Sequence, residues 1–286
     1  MKKITLSTYV ADQGRKAANK RQADYDIAAR RYTDKMAARA QKKAALREKS
    51  QLAFRQRRFF AWFVSLLARL WHKLSPRPQA PAPTTVSQEE DVWNAGEVGE
   101  QRVITALSRI LPDDWTLLTG YRNPRGEIDQ LLVGPPGILA IESKFINGRV
   151  SCDGDTWWRD KYDSYGNQVE KREAITDKRG RGPSAQVNAA ADRLQETLSK
   201  RSPIRSVARA VVFTHDRSII ESLKNTTVDL VTTLPQLNRA AIIAAMKRSD
   251  LAGMTPAQVV ELIQRDHDYH QRAREERVNP RRYQRR

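Results

Sequence analysis

Hydrophobic and polar positions divide the 286-residue chain into stretches of different texture. Residues 11–50 are rich in Ala, Lys, Arg and Gln without proline, which predicts a long solvated helix. Within it Tyr25, Ala29, Tyr32 and Met36 recur at spacings of four, three and four, so the helix either offers a narrow seam to a partner helix or stands plainly exposed. The segment RRFFAWFVSLLARLWHKL, residues 57–74, then holds an apolar run from Phe59 to Ala68 broken by Ser65. Residues 75–88, SPRPQAPAPTTVSQ, read as an extended Pro-rich linker with no core of its own.

Beyond the linker the pattern becomes that of a packed domain. Val98, Val103, Leu107, Ile110 and Leu111 fall at mostly helical spacing over 94–111. Apolar runs predict strands at 115–121, 126–133, 138–144, around 149–158, at 207–214 and at 228–233, and helices at 184–200 (starting at Ser184), 235–247 and 256–276. Strands mixed with helices of this length give an α/β or α+β fold with a mixed sheet. The expected domains are a basic helical extension at 1–74, with a short apolar segment at 59–71, and a linker at 75–92. A globular domain at 93–250 and a C-terminal helix with a basic tail at 251–286 complete them.

Charge changes this picture through its distribution. Of a net +18, residues 1–88 hold 20 Lys and Arg against 5 Asp and Glu, residues 89–269 hold 24 against 26, and residues 270–286 hold 7 against 2. Basic tails around a near-neutral middle imply attraction to a polyanion, either nucleic acid or an anionic membrane. The apolar run at 59–68 is about half of the roughly 20 residues that a membrane span needs. Its basic flanks, with Trp62 and Trp71 at headgroup level, fit peripheral contact with an anionic membrane through 57–74; a helix packed on the domain and a single membrane span are the other readings. The single cysteine, Cys152, excludes an intramolecular disulfide and a cysteine-based zinc site. With no signal peptide pattern at the N-terminus, a cytoplasmic protein is expected, associated at most with the inner face of the membrane.

The candidate chemistry lies in GEIDQLLVGPPGILAIESK, residues 126–144, two apolar strands around Gly134-Pro135-Pro136-Gly137. If Val133 pairs with Ile138, Asp129 falls opposite Glu142, and like charges so placed are destabilising by up to about 1 kcal/mol. A hard divalent cation between them offsets this, and Lys144 projects from the same face as Glu142. The alternative is a solvated edge hairpin with Lys144 paired to Glu127, but the neighbouring LLV and ILAI are too continuously apolar for that. His72, His215, His267 and His270 are scattered, and the last two read as a surface pair rather than metal ligands.

Asp129 followed by Glu142-Ser143-Lys144 resembles the core of the PD-(D/E)XK nucleases. With GEVGE at 96–100, Gly148, Trp157 and Trp158, and Gln186 opening a helix, the pattern over roughly 93–215 resembles the nuclease-related domain, NERD. The resemblance implies a restriction-endonuclease-like core, with Asp129 and Glu142 as ligands of Mg²⁺ or Mn²⁺ and Lys144 polarising the scissile phosphate or attacking water. It also implies Glu100 as a further acid of the metal site and Gln186 as a positioning residue; the plain alternatives are an exposed helix carboxylate and an ordinary first-turn residue. Ser143 stands where the family commonly has Thr or Val, and its side chain is expected on the opposite face, with little consequence.

The expected function is metal-dependent phosphodiester hydrolysis of nucleic acid, with DNA expected as the substrate. The alternative is a nuclease-like fold kept for binding nucleic acid or docking on a membrane. The charged stretch 160–183 reads as a disordered insertion or a substrate-contacting loop, in which Lys171, Arg172, Lys178, Arg179 and Arg181 would neutralise phosphates. Deleting residues 1–88 is expected to weaken binding and leave the chemistry intact.

Overall fold

The computed structural model describes residues 1–163, 165 and 167–278. The basic tail beyond residue 278 lies outside the described residues. In chain order the elements open with β1 (Lys2–Thr5), α1 (Tyr9–Arg55), α2 (Phe59–Leu74) and α3 (Gln88–Ile110). Strands β2 (Thr116–Asn123), β3 (Gly126–Gly134), β4 (Gly137–Lys144), β5 (Gly148–Asp153), β6 (Thr156–Tyr162) and β7 (Gln168–Ala174) follow. Then come α4 (Pro183–Arg201), β8 (Ala208–Phe213), β9 (Ser218–Lys224), β10 (Leu230–Thr233), α5 (Arg239–Ala245) and α6 (Pro256–Val278). Two compact units result, one of residues 13–91 and one of residues 1–12 with the chain from Val92 onward.

The larger unit is a mixed α/β structure around a six-stranded sheet of order β1-β2-β3-β4-β8-β10. β2, β3 and β4 run antiparallel in succession, and the β4–β8, β8–β10 and β1–β2 contacts are parallel. The near-continuous apolar runs of β3, β4 and β8 follow from burial on both faces. On one face Leu131, Val133, Ala140, Val211 and Phe213 pack with Val187, Ala191 and Leu194 of α4 and Ile263 of α6. On the other, Leu132, Leu139, Ile141, Ala210 and Val212 pack with Val103 and Leu107 of α3 and Ile242 of α5. A second sheet, order β7-β6-β5-β9, joins the first of these cores through Val150 and Trp157, whose ring lies 5.5 Å from that of Phe213.

Several expectations change here. β1, assigned by sequence to the extension, is an edge strand that pairs Lys2 with Thr116 through to Thr5 with Thr119. Deleting residues 1–88 would therefore remove part of this sheet, so the deletion does not separate binding from chemistry. The strand expected around 149–158 is two strands turning at Gly154, and 160–183 holds β7, which pairs with β6 and excludes a wholly disordered insertion. Helix α4 begins one residue early, with Pro183 at its start and Gly182 as N-cap. Ser184 instead uses its hydroxyl to join Trp157 Nε1 (2.9 Å) to Asp155 (2.6 Å). His267 and His270 are not a surface pair: both are buried near Tyr121, whose hydroxyl donates to Asp266 at 2.5 Å, and burial lowers the pKa of both imidazoles.

In the smaller unit α2 and the Pro-rich segment turn back along α1. Arg39 of α1 donates to the carbonyls of His72, Ser75 and Pro76, and Arg21 binds Glu90 (2.8 Å) and Thr84. The seam expected for a partner helix is thus covered in part by the chain itself: Tyr25, Ala29 and Tyr32 are half-buried, and Tyr32 borders Pro78 and Pro81.

Candidate active site

The β3–β4 hairpin has the register expected from its turn, Val133 opposite Ile138 and Gly134 opposite Gly137. The ladder ends at Gln130–Ile141, one pair before Asp129 and Glu142. The two acids are therefore not a regular cross-strand pair. They flank the point where β3 leaves β4, close to Gly120 of the neighbouring β2, whose φ of 70° places it in the left-handed region that favours glycine. The Ser143 N–H, which a continued ladder would direct at β3, donates instead to Asp129 Oδ2 at 2.8 Å. Ser143 Oγ donates to the same oxygen at 3.0 Å. This corrects the expectation that Ser143 points away from the site: where the strands part, its side chain reaches the carboxylate.

Lys144 closes the arrangement. Its Nζ donates to Glu142 Oε1 at 2.5 Å and to Gln186 Oε1 at 2.9 Å. Gln186, in the first turn of α4, is fixed from its other end by donating Nε2 to the Arg181 carbonyl at 2.8 Å. Glu127 pairs with Arg122 rather than with Lys144. Glu100 arrives on α3, which approaches the sheet so closely at Gly99 that a Cβ there would stand 2.8 Å from Thr214 Oγ1 and 3.2 Å from Phe145 Cβ. The glycine of GEVGE thus lets the helix bring its carboxylate in.

These acids act on one another electrostatically. Burial, then Asp129, Glu127, Glu142 and Glu97, push Glu100 up to about 9. Burial and then Asp129 push Glu142 up to about 7, against the pull of Lys144. Burial raises Asp129 although Lys144 and Ser143 stabilise its charge, and burial pushes Glu127 up to about 7 despite Arg122. Burial opposes the charge on Lys144, but Glu142 and Asp129 more than offset it, so its pKa is raised and it stays an ammonium. Asp129 and Glu142, which repel one another and share Lys144, suit a further hard cation, which oxygen ligands hold. Among the described residues no three His, Cys, Asp or Glu side chains are grouped closely enough to hold a metal ion by themselves. Two carboxylates with water completing the shell suffice for Mg²⁺.

The candidate phosphate contacts are spread more widely. Lys178, Arg179 and Arg181 lie on the loop that enters α4, and Asp177 on the same loop helps keep Lys144 charged. Arg181 is held by Asp177 at 2.8 Å. Lys171 and Arg172 belong to β7, at the edge of the second sheet, and Arg172 lies over the Trp158 ring at 5.0 Å. Ser143 and Glu127 are the site residues to which the sequence reading gave no role. Glu127 carried a signal, since it stands two residues before Asp129 in an alternating strand.

A mixed sheet whose hairpin opens to present two acids and a lysine, with a third acid from α3 and a glutamine from α4, is a nuclease-like core. Residues 95–214 match the family model described as NERD, nuclease-related domain, whose general context is the PD-(D/E)XK superfamily. No curated protein and no solved structure matches the chain.

Proposed function

We propose that this protein hydrolyses phosphodiester bonds of nucleic acid, with DNA as substrate and Mg²⁺ or Mn²⁺ as cofactor. The observation that carries the reading is the meeting of Asp129, Glu142, Lys144 and Gln186 where β3 and β4 part, with Glu100 near enough to be repelled by Asp129 and Glu142. Asp129 and Glu142 would hold the cation, with Glu100 an acid beside them rather than the third direct ligand expected from the resemblance. When bound, such a cation supplies Lewis-acid stabilisation of charge on a phosphate.

The chain's own groups divide the remaining work. Ser143 orients Asp129 through two hydrogen bonds to one oxygen, leaving the other carboxylate oxygen outside that contact. Lys144 is kept protonated by Glu142 and Asp129 and presents a fixed positive charge to a phosphate oxygen or an attacking water. Gln186 sets the direction of that ammonium. The basic loop 178–181 supplies sequence-independent contacts to the phosphate backbone, so binding weakens steeply with salt.

A non-catalytic nucleic-acid-binding module is the competing reading, and one observation favours it: Glu142 is already ion-paired to Lys144 at 2.5 Å. Incubating the full-length protein with plasmid, linear and single-stranded DNA in Mg²⁺, Mn²⁺ or EDTA separates the two. Cleavage that needs metal and disappears in Asp129→Ala supports hydrolysis. Retention of every substrate uncut, with salt-sensitive binding, supports the module.

A further inference from the structure

Helix α2 is turned inside out relative to an ordinary surface helix. The side it lays toward α1 carries Ala61, Ser65, Ala68, Arg69 and His72, all half-buried, and His72 Nε2 meets the Arg39 carbonyl at 3.2 Å. Its solvent side is a continuous apolar stripe: Phe60, Phe63, Val64, Leu67, Leu70 and Trp71 are all exposed, Phe60 at 83% and Trp71 at 79%. No residue of α2 is fully buried. An amphipathic helix normally buries its apolar stripe against its own fold, so a stripe displayed to water marks a surface that something else covers.

The charge around the stripe selects the occupant. Residues 39–77 carry eleven Lys and Arg against one acid, Glu48, and α2 itself has no acidic residue. Arg57 and Arg58 stand at its entry, with Arg57 in a left-handed conformation at φ 55°, and Arg69 and Lys73 lie along it. A protein partner large enough to bury the stripe would gain little from so uniform a ring of cations, whereas an anionic lipid surface takes both features at once. The acyl boundary accepts Phe, Leu and Trp, and the headgroups attract the surrounding Lys and Arg. No helix among the described residues is long and apolar enough to cross a membrane, which fits a helix lying in the interface. We infer that the exposed face of α2 docks the protein on an anionic membrane surface. Within this face Trp71 is an inserting residue, whereas Trp62 is half-buried beside Phe54, with ring centroids 6.1 Å apart, and belongs to the support.

The test is flotation of nuclease-treated full-length protein with vesicles of phosphatidylcholine alone or mixed with phosphatidylglycerol. The protein should float with the mixed vesicles and stay at the bottom with the neutral ones. Phe63→Glu/Leu67→Glu should lose at least about tenfold in binding while keeping the wild-type circular dichroism. Should that pair disturb folding, Arg57→Gln/Arg58→Gln provides the second variant, with about a fivefold loss per charge removed. Quenching of tryptophan emission by brominated lipid should fall in Trp71→Phe. The inference is overturned if the wild type does not float, if the Phe63/Leu67 variant folds and floats equally well, or if Trp71→Phe leaves the quenching unchanged. It is overturned equally if the stripe is covered by a second copy of the chain, seen as a dimer in sedimentation that the Phe63/Leu67 variant converts to monomer.

Discussion

Replacing Glu100 by glutamine removes one of the mutually repelling acids without changing its shape. Glu100 goes from an ordinary 4.5 to about 9 on folding, chiefly through burial and then through Asp129, Glu127 and Glu142. The folded state thus holds a proton that the unfolded chain releases above its ordinary pKa. The corresponding stability is complete below about pH 4.5 and is lost as pH climbs toward 9. At 1.36 kcal/mol per unit, this group costs the metal-free protein about 3 kcal/mol near pH 7, and under about 1 kcal/mol near pH 5. Glu100→Gln has no such loss. In EDTA its thermal midpoint should match the wild type near pH 5 and exceed it by roughly 6–12 °C near pH 7. Excess Mg²⁺ should close part of that gap by stabilising the wild type more than the variant. Thermal melts followed by circular dichroism across this pH range provide the assay. If the two melting curves stay parallel from pH 5 to 9, Glu100 does not share the space of Asp129 and Glu142.

Ser143→Ala deletes the hydroxyl donor to Asp129 and keeps the backbone N–H, so a Mg²⁺ titration of DNA cleavage should show weaker apparent metal affinity, by about tenfold, with the limiting rate nearly preserved. Tyr121→Phe leaves the buried Asp266 without its hydroxyl donor and should cost about 2–3 kcal/mol in urea unfolding. Gly99→Ala forces a methyl against Thr214 and Phe145, costing about 1–3 kcal/mol, and cleavage should fall with it as Glu100 moves; Thr214→Ala in the same chain should recover part of both losses.

The central sheet was legible because its strands are short apolar runs bounded by Gly, Pro and Asn, and because a hairpin's turn sets its register. Val133 opposite Ile138 followed from the Gly134-Pro135-Pro136-Gly137 turn alone. β1 was not legible: Lys2–Thr5 has no periodicity, and its partner strand lies more than a hundred residues away in sequence. β9, at the rim of the second sheet, was not legible either: its inward positions are Ser218, Ile220 and Ser222 while Ile219 and Leu223 are exposed, so apolar character does not track burial. Within the site, residue types and spacing pointed to Asp129, Glu142 and Lys144, and the family resemblance added Glu100 and Gln186. The role of Ser143 depends on where the ladder ends, which strand alternation cannot anticipate. For α2 the apolar run was visible in the sequence, but the face it turns outward is set by the packing of Ala61, Ser65 and Ala68 along α1.

The most direct measurement of the central claim is the Mg²⁺-dependent single-turnover rate of DNA cleavage by the full-length protein, compared with Asp129→Asn and Lys144→Met. If Asp129 holds the proposed metal and Lys144 stabilises charge on the phosphate, each substitution should lower the rate by about a hundredfold or more. Both variants should still bind DNA at low salt. Cleavage by either variant at the wild-type rate would contradict an active centre built on Asp129, Glu142 and Lys144.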